Sequence, residues 1–269
     1  MTAQYAVIGH PVAHSKSPII HAAFAAQTGQ RIRYDKLEAP LEGFIDFVAQ
    51  FFAMGGEGCN VTVPFKEQAF AFANQLTERA RQAGAVNTLW LDDDGVVGDN
   101  TDGVGLCRDL TRHINLAGKR ILLLGAGGAA RGAIGALLAE QPAQLTIANR
   151  SADKAITLAA NFGGVSEGCG LPDLTGRSFD LVINATSASL AQAQLALPSG
   201  LFAPGALAYD MMYGQGDTPF MQQARADGAA QAVDGLGMLV EQAAEAFRLW
   251  RGVQPDTAPV LAELRASLA

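Results

Sequence analysis

A glycine-rich segment that follows a short apolar run is the first part of this chain that could bind a ligand. Residues 121–124 are continuously apolar, which predicts a buried strand, and Gly125, Gly127 and Ala130 follow in the spacing G-x-G-x-x-G/A. In this pattern the first glycine permits a tight turn, the second lets the backbone approach a pyrophosphate, and the third position allows a helix to pack closely. A helix predicted over residues 131–140 would present its free N–H groups to the phosphates. The pattern therefore predicts a dinucleotide site.

A basic residue follows the next predicted strand, residues 145–148. Arg150, with Lys154 one helical turn further on, suits the 2′-phosphate of NADP, because proteins that bind NAD commonly place an acidic residue there for the ribose hydroxyl. Asp153 lies nearby, so NAD stays open as an alternative. An exposed arginine without a ligand is the other interpretation of Arg150.

Lys66 stands out because it follows a stretch, residues 58–65, that carries no charged residue. A strand predicted over residues 59–63 leads into Pro64, Phe65 and Lys66, so this cation is expected to follow the strand end directly. Loops beyond strand ends are common places for functional groups. When hydride reduces a ketone, an alkoxide develops that needs positive charge and then a proton, and a lysine can supply both. A plain surface lysine is the alternative. This chemistry needs no metal, and the sequence shows no His, Cys and carboxylate cluster with ligand spacing.

In the first hundred residues, strands are expected at 5–9, 33–37, 59–63 and 85–91, with helices at 18–28, 41–55 and 78–83. Ser17 is predicted to cap the first helix, ahead of Pro18 at its first position, and Thr77 to cap the third. The segment GDNTDG, residues 98–103, is predicted to be an exposed turn because it is too polar for a core.

From residue 102 onward, strands and helices alternate. Strands are predicted at residues 121–124, 145–148, 181–184, 206–209 and 231–233, followed by a long helix that ends near Trp250. A last helix opening at Pro259 is expected to pack on the first domain. Sequential strand–helix units build a doubly wound parallel sheet, which binds ligands at the carboxyl ends of its strands.

The composition restricts the possible functions. With 269 residues and 49% hydrophobic content the chain can form two domains, and a net charge of −7 gives no basic surface for nucleic acid. No apolar run approaches the roughly 20 residues that span a bilayer, and the N-terminus lacks a signal-peptide pattern. The three cysteines show no C-x-x-C spacing, so we expect reduced thiols, a cytoplasmic location, and neither nucleic acid nor membrane as a partner.

A series of segments, taken together, resembles the shikimate dehydrogenase family in order and nearly in spacing. These segments are HSKSP (14–18), NVTVPFK (60–66), AGAVNT (83–88), GDNTDG (98–103), GAGGAAR (125–131), NRS (149–151), YDMMYGQGDTPF (209–220) and DGLGMLVEQ (234–242). The resemblance spans almost the entire chain.

The resemblance implies an oxidoreductase that reversibly reduces 3-dehydroshikimate to shikimate with NADP, in chorismate and aromatic amino-acid biosynthesis. It implies an α/β fold in which a Rossmann-type NADP domain, residues 102–233, is inserted into an α/β substrate domain, residues 1–101 and 234–269. A monomer or homodimer without a metal is expected.

The same resemblance assigns roles to single residues. Lys66 and Asp102 would be the catalytic pair, and Ser15 and Ser17 would hold the substrate carboxylate. The other substrate contacts would be Thr62, Asn87, Tyr213 and Gln242. The cofactor contacts would be Gly125, Ala126, Gly127, Gly128, Ala129, Asn149, Arg150, Ser151, Lys154, Met211, Gly235 and Glu78. Asn60 is expected to have a structural part.

Two positions depart from the family pattern: His10 stands where Asn is usual, and Lys154 where Arg is common. Alternative interpretations are a quinate/shikimate dehydrogenase with relaxed cofactor choice, a non-catalytic ligand-sensing paralogue, and a methyltransferase. A methyltransferase leaves the segments HSKSP and NVTVPFK unexplained, and a ligand sensor has no use for the acid–base pair. Arg150 disfavours the quinate/shikimate dehydrogenase, because those relatives tend to carry an acidic residue nearer the strand end.

Overall fold

The computed structural model describes residues 2–186, 188 and 194–268. The chain divides into two compact units, Met1–Gly105 with Val240–Glu263, and Leu106–Leu239 with Leu264–Ala269. The domain boundaries were predicted after residues 101 and 233, and the two units meet after residues 105 and 239. Residues 264–269, predicted to belong to the first domain, group with the second unit. The assignment of one unit to substrate and the other to cofactor stays a prediction.

The first unit is built on a mixed sheet with the strand order β2-β1-β3-β5-β6-β4. Strand β1 pairs in parallel with β2 and β3, while β5 runs antiparallel to β3 and β6. Its elements are β1 (Ala3–Gly9), α1 (Ser17–Thr28), β2 (Ile32–Glu38), α2 (Phe44–Ala53), β3 (Gly56–Val61), α3 (Lys66–Phe72), β4 (Gln75–Leu76), α4 (Glu78–Ala83), β5 (Thr88–Asp92) and β6 (Gly95–Asp99).

Helix α2 shows how this unit closes its core. Phe44, Val48 and Phe52 recur at a spacing of four residues and are all buried, so one face of the helix turns inward. Phe44 stacks on Phe65, with ring centroids 4.6 Å apart, directly before α3 begins. This packing fixes the start of α3, which is the position of Lys66.

Three predictions for this unit were wrong. Lys16, not Ser17, is the N-cap of α1, and the Lys16 side chain makes no capping hydrogen bond; Ser17 lies inside the first turn. Lys66 does not follow a strand end directly but opens α3, beyond a turn that contains the cis peptide bond Val63–Pro64. The segment 98–103 is not exposed, because residues 99–102 are all buried. The predicted cap at Thr77 is confirmed, since its side chain accepts a hydrogen bond from the Ala80 N–H.

The second unit has a wholly parallel sheet with the strand order β12-β11-β10-β7-β8-β9. The elements from residue 102 on are α5 (Asp102–Leu110), β7 (Arg120–Leu124), α6 (Gly128–Ala139), β8 (Gln144–Asn149), α7 (Ala152–Phe162), β9 (Ser166–Gly170), a 3₁₀ helix (Leu171–Leu174), β10 (Phe179–Asn184), β11 (Phe202–Asp210), α8 (Pro219–Ala226), β12 (Gln231–Asp234), α9 (Leu236–Arg251) and α10 (Thr257–Leu268).

The strand order of this sheet reverses between β7 and β10, and at such a point doubly wound sheets bind ligands. Both faces of β7 are covered: Ile121 and Leu123 belong to one buried cluster, Leu122 and Leu124 to another. The predicted doubly wound fold of this unit is confirmed. Its edge strand β9 was not predicted.

The three cysteines are free and buried. In the described part of the chain, no helix combines the length and the apolar character that crossing a bilayer requires.

His21 on α1 is a fully buried histidine in the first unit. Its ring stacks on Tyr34, with centroids 4.3 Å apart, and among the described residues neither ring nitrogen has a hydrogen-bond partner. Burial lowers the pKa of His21 from 6.5 to about 3, and the nearby Asn60 side chain offsets only part of this effect.

This burial makes stability depend on pH. The neutral ring is native, so the stability it contributes is present above pH 6.5 and is lost as the pH falls towards 3. Between pH 7 and pH 5 this one group should lower the free energy of unfolding by about 2 kcal/mol. Urea denaturation of the wild type and of His21→Phe at both pH values measures it. Between pH 7 and pH 5, the free energy of unfolding of His21→Phe should fall by about 2 kcal/mol less than that of the wild type. Equal decreases in the two proteins would contradict a buried neutral ring.

Candidate active site

An ion pair in the first unit joins the two residues predicted to be catalytic. The Lys66 Nζ donates to Asp102 Oδ2 at 2.5 Å, and the two side chains are 27% and 12% exposed. Lys66 opens α3 and Asp102 opens α5, so each projects from the first residue of a helix. A partly enclosed ammonium beside a carboxylate has the composition that proton exchange with a substrate hydroxyl requires.

Asn87 fixes the orientation of Asp102 from the other side. Its Nδ2 donates to Asp102 Oδ1 at 2.8 Å, while its Oδ1 accepts from the Thr101 N–H at 2.9 Å. A backbone N–H can only donate and a carboxylate can only accept, so this amide has one possible orientation. The Thr88 hydroxyl, 2.9 Å from Asn87 Oδ1, adds a second donor. Asn87, predicted only as a substrate contact, therefore also orients Asp102.

Two further predicted residues lie at this cluster. Gln242 on α9 receives its contacts through Oε1, which accepts from the Thr101 hydroxyl at 3.3 Å and from Asn87 Nδ2 at 3.4 Å. Asn60, expected to be structural, donates from Nδ2 to the Asn87 carbonyl oxygen at 3.2 Å and accepts from the Tyr34 hydroxyl at 2.7 Å. The structure thus brings Lys66, Asp102, Asn87 and Gln242 together.

Ser15 and Ser17 stand together at the start of α1. The Ser15 hydroxyl donates to Ser17 Oγ at 3.2 Å, and the Ser17 N–H donates to Ser15 Oγ at 3.3 Å. The first-turn amides of α1 already have acceptors, because the Ser17 N–H donates to Ser15 Oγ and the Ile19 and Ile20 N–H groups donate to the Lys16 carbonyl oxygen. The two serine hydroxyls, which can rotate, and the positive end of the helix are what this segment offers an anion. Thr62 is half-buried in the loop after β3. His10 contacts a different part of the unit, since its Nδ1 lies 3.1 Å from the Ala39 carbonyl oxygen.

The glycine turn of the second unit has the geometry that a pyrophosphate needs. Gly125 follows β7 with a φ of 111°, a value that favours glycine, and a Cβ there would stand 3.2 Å from the Ala185 carbonyl oxygen. A Cβ on Gly127 or Gly128 would meet nothing within 4 Å. Gly127 is the N-cap of α6, where no side chain satisfies the first amides. The turn therefore leaves open space beside free donors, which fits a dinucleotide.

Arg150 is exposed after β8, and within the described ranges it has no ion-pair partner. Asn149 holds this turn by donating from Nδ2 to the Ser151 carbonyl oxygen at 3.1 Å. A cavity of about 350 Å³ lies along α7, and its lining does not include Asn149, Arg150 or Ser151. Its lining includes the predicted residues Ala126 and Lys154 and, in addition, Asp153, Arg131, Thr157, Leu158 and Asn161.

Arg131, Thr157 and Asn161 were missed as candidate cofactor residues. Arg131 ends the GAGGAAR segment, and Thr157 and Asn161 follow Lys154 at positions three and seven residues on, so all three lie one or two helical turns from predicted residues. Residues at this helical spacing share one face of a helix, so the spacing could have indicated these three residues from the sequence.

Met211, Gly235 and Tyr213 belong to the second unit, at the carboxyl ends of β11 and β12. The Gly235 N–H donates to the Met212 carbonyl oxygen at 3.0 Å, so these ends are joined. Burial raises the pKa of Tyr213, with a smaller contribution from the Asp234 charge. Glu78 lies in the first unit, 73% exposed, and pairs with Arg81. The roles of Tyr213 and Glu78 stay predictions.

Through residues 2–186, 188 and 194–268, no group of His, Cys, Asp and Glu side chains is arranged to hold a metal ion.

Fold and site together define a dinucleotide-binding α/β protein with a lysine–carboxylate pair. Three family models match the chain: shikimate dehydrogenase substrate binding domain over residues 7–89, shikimate / quinate 5-dehydrogenase over residues 108–194, and shikimate 5′-dehydrogenase C-terminal domain over residues 235–265. The chain belongs to the shikimate dehydrogenase family, as its sequence segments predicted.

Individual relatives are similar over their full lengths. The shikimate dehydrogenase (NADP(+)) of Dechloromonas aromatica is 62% identical, over 100% of this chain and 99% of that relative. The crystal structure of an Ael1 enzyme from Pseudomonas putida is 46% identical, with a TM-score of 0.93 over 98% of each chain. Shikimate 5-dehydrogenase from Thermus thermophilus, in complex with NADP(H) and shikimate, is 34% identical, with a TM-score of 0.88 over 99% of this chain and 100% of that one.

The glycine turn generates a prediction that separates ligand binding from folding. Gly127 has φ −88° and ψ −170°, which alanine also adopts, and its Cβ would face open space. Gly127→Ala should therefore keep the thermal midpoint of the wild type but weaken NADPH binding by about tenfold or more, because its methyl group occupies space that the pyrophosphate needs.

Fluorescence titration with NADPH and a thermal melt provide the two readouts. Gly125→Ala is the matched comparison, since the positive φ at that position should also lower the midpoint. An unchanged dissociation constant in Gly127→Ala would show that the turn is structural only.

Proposed function

We propose that this chain catalyses the reversible NADP-linked reduction of 3-dehydroshikimate to shikimate, as an oxidoreductase of aromatic amino-acid biosynthesis. The Lys66–Asp102 ion pair is the observation in the structure that carries this proposal, because a ketone reduction needs a proton donor, and an ammonium also stabilises the developing alkoxide. Relatives named shikimate dehydrogenase (NADP(+)) at 54–62% identity support the same reaction and cofactor.

Lys66 is proposed to hold the reacting oxygen and exchange its proton. In the direction of reduction, negative charge develops on the ketone oxygen, where the Lys66 ammonium stabilises it and then gives up a proton. In the reverse direction the lysine receives the hydroxyl proton. The cofactor, when bound, would supply the hydride as NADPH in the reduction and accept it as NADP⁺ in the reverse direction. Lysine suits both directions because it carries charge and proton on one flexible group.

Asp102 is proposed to keep that ammonium in place and to accept a hydrogen bond from a ring hydroxyl. Each of its oxygens already has one donor, Lys66 at 2.5 Å and Asn87 at 2.8 Å. A carboxylate oxygen can accept more than one hydrogen bond, so capacity for a substrate hydroxyl is left. The pair thus acts with its geometry set before the substrate arrives.

The substrate contacts are proposed as the sequence predicted them. Ser15 and Ser17 at the start of α1 would bind the carboxylate, because their hydroxyls can rotate to donate to it and the start of a helix carries positive partial charge. Thr62, Asn87, Tyr213 and Gln242 would contact ring hydroxyls or the carboxylate.

On the cofactor side, residues 125–129 would hold the pyrophosphate and Arg150 with Lys154 the 2′-phosphate. Asn149 and Ser151 would shape that turn, and Met211, Gly235 and Glu78 are proposed as further contacts.

The test is the absorbance of NADPH formed from shikimate, with quinate and NAD assayed in parallel. The proposal expects rapid NADPH formation from shikimate and much slower reactions with the other two. Comparable rates with quinate or NAD would instead favour the relaxed dehydrogenase. Binding of shikimate without turnover would favour a ligand sensor.

Arg150 provides the sharpest prediction on cofactor choice. Loss of a charge-assisted contact to the 2′-phosphate costs about 1.5–3 kcal/mol, so Arg150→Ala should weaken NADP binding by about one to two decades. NAD lacks this phosphate and serves as the matched control, so its dissociation constant should change little. Calorimetric titration with both cofactors makes the comparison. Equal losses for NAD and NADP would mean that Arg150 has a structural part only.

A further inference from the structure

Arg79 on α4 bridges two buried carboxylates in the first unit. Its Nη2 lies 2.5 Å from Asp99 Oδ2 and 2.9 Å from Glu245 Oε1, and its Nε lies 2.7 Å from Asp99 Oδ1. The side chains of Asp99 and Glu245 are 0% and 2% exposed, while that of Arg79 is 33% exposed. One guanidinium thus binds the first carboxylate with two donors and the second with one.

The first carboxylate fixes the turn that ends in Asp102. Asp99 Oδ1 also accepts from the Thr77 hydroxyl at 2.5 Å and from the Asn100 N–H at 2.7 Å. Asn100 in turn accepts from the Asp102 N–H, through Oδ1, at 3.1 Å. Hydrogen bonds therefore run without a break from Arg79 to the backbone of Asp102.

The second carboxylate fixes the helix that carries Gln242. Glu245 lies three residues after Gln242 on α9, and residues at this spacing share one helix face. Arg248 also binds Glu245, through Nη2 at 2.8 Å. Arg79 consequently connects the turn of residues 99–102 to the helix face of Gln242.

We infer that Arg79 is a positioning residue, which holds Asp102 and Gln242 in register so that both meet one substrate. This inference rests on the proposed function of Lys66 and Asp102. The planar fork of arginine is what the geometry uses, because its Nε and Nη2 meet both oxygens of Asp99 while Nη2 also reaches Glu245. A lysine has no such fork.

Arg79→Lys and Arg79→Met, made in the full chain, test this assignment. Arg33→Met is the matched control, because Arg33 lies in the same unit, is 67% exposed and pairs only with Asp35 among the ion pairs of the described residues. Arg79→Lys should lower kcat for shikimate oxidation by about tenfold or more and leave the KM for NADP within about twofold, whereas Arg33→Met should change neither. If Arg79→Met does not fold, Arg79→Lys, which keeps the charge, still gives the answer.

The decisive readout is the combination of Arg79→Lys with Asp102→Asn. If Arg79 acts through Asp102, the double variant should have a kcat scarcely below that of Asp102→Asn alone. Losses that multiply would overturn the inference, as would a lowered thermal midpoint with unchanged kcat. Wild-type protein that forms no NADPH from shikimate would overturn the proposed function, and the inference with it. An active wild type with an unaffected Arg79→Lys would overturn the inference alone.

Discussion

The first unit depends on one constraint: the carboxylate of Asp102 is nearly buried, and a buried charge is stable only with hydrogen-bond donors around it. Lys66 and Asn87 meet its two oxygens from opposite sides. Asn87 can do so because the Thr101 N–H and the Thr88 hydroxyl fix its amide oxygen. Folding therefore already orders the side chains of Lys66 and Asp102, so substrate binding does not lose further conformational entropy in orienting them.

The second unit prepares its ligand site in the opposite way, by leaving side chains out. Leu124 of β7 pairs with Asn184 of β10, so the turn at Gly125 meets the neighbouring strand end, and its positive φ carries the chain into α6. The next glycines expose backbone donors to open space. A rigid parallel sheet with covered faces holds this turn still. One unit thus offers charge in a fixed orientation, and the other offers backbone amides and room.

Patterns that arise from local chemistry could be predicted from the sequence. The apolar run before Gly125 and the cap at Thr77 were found because strand burial and capping depend on neighbouring residues. The prediction that residues 99–102 are exposed was wrong, because their burial depends on hydrogen-bond donors far away in the sequence, such as Arg79. Ser17 failed as a cap because the helix starts at Ser17 itself, one residue earlier than predicted, so the N-cap is Lys16. Strand β9 was missed because Ser166–Gly170 lacks apolar alternation and forms by pairing with β8 alone.

The central claim is that Lys66 and Asp102 form one catalytic unit, and a double-mutant comparison of kcat tests it most directly. General acid–base catalysis contributes about 10²- to 10⁴-fold, so Lys66→Ala and Asp102→Asn should each lower the kcat for shikimate oxidation on that scale. Because the two residues act together, the double variant should be scarcely slower than the slower single variant. Losses that multiply in the double variant would show independent roles and contradict the account.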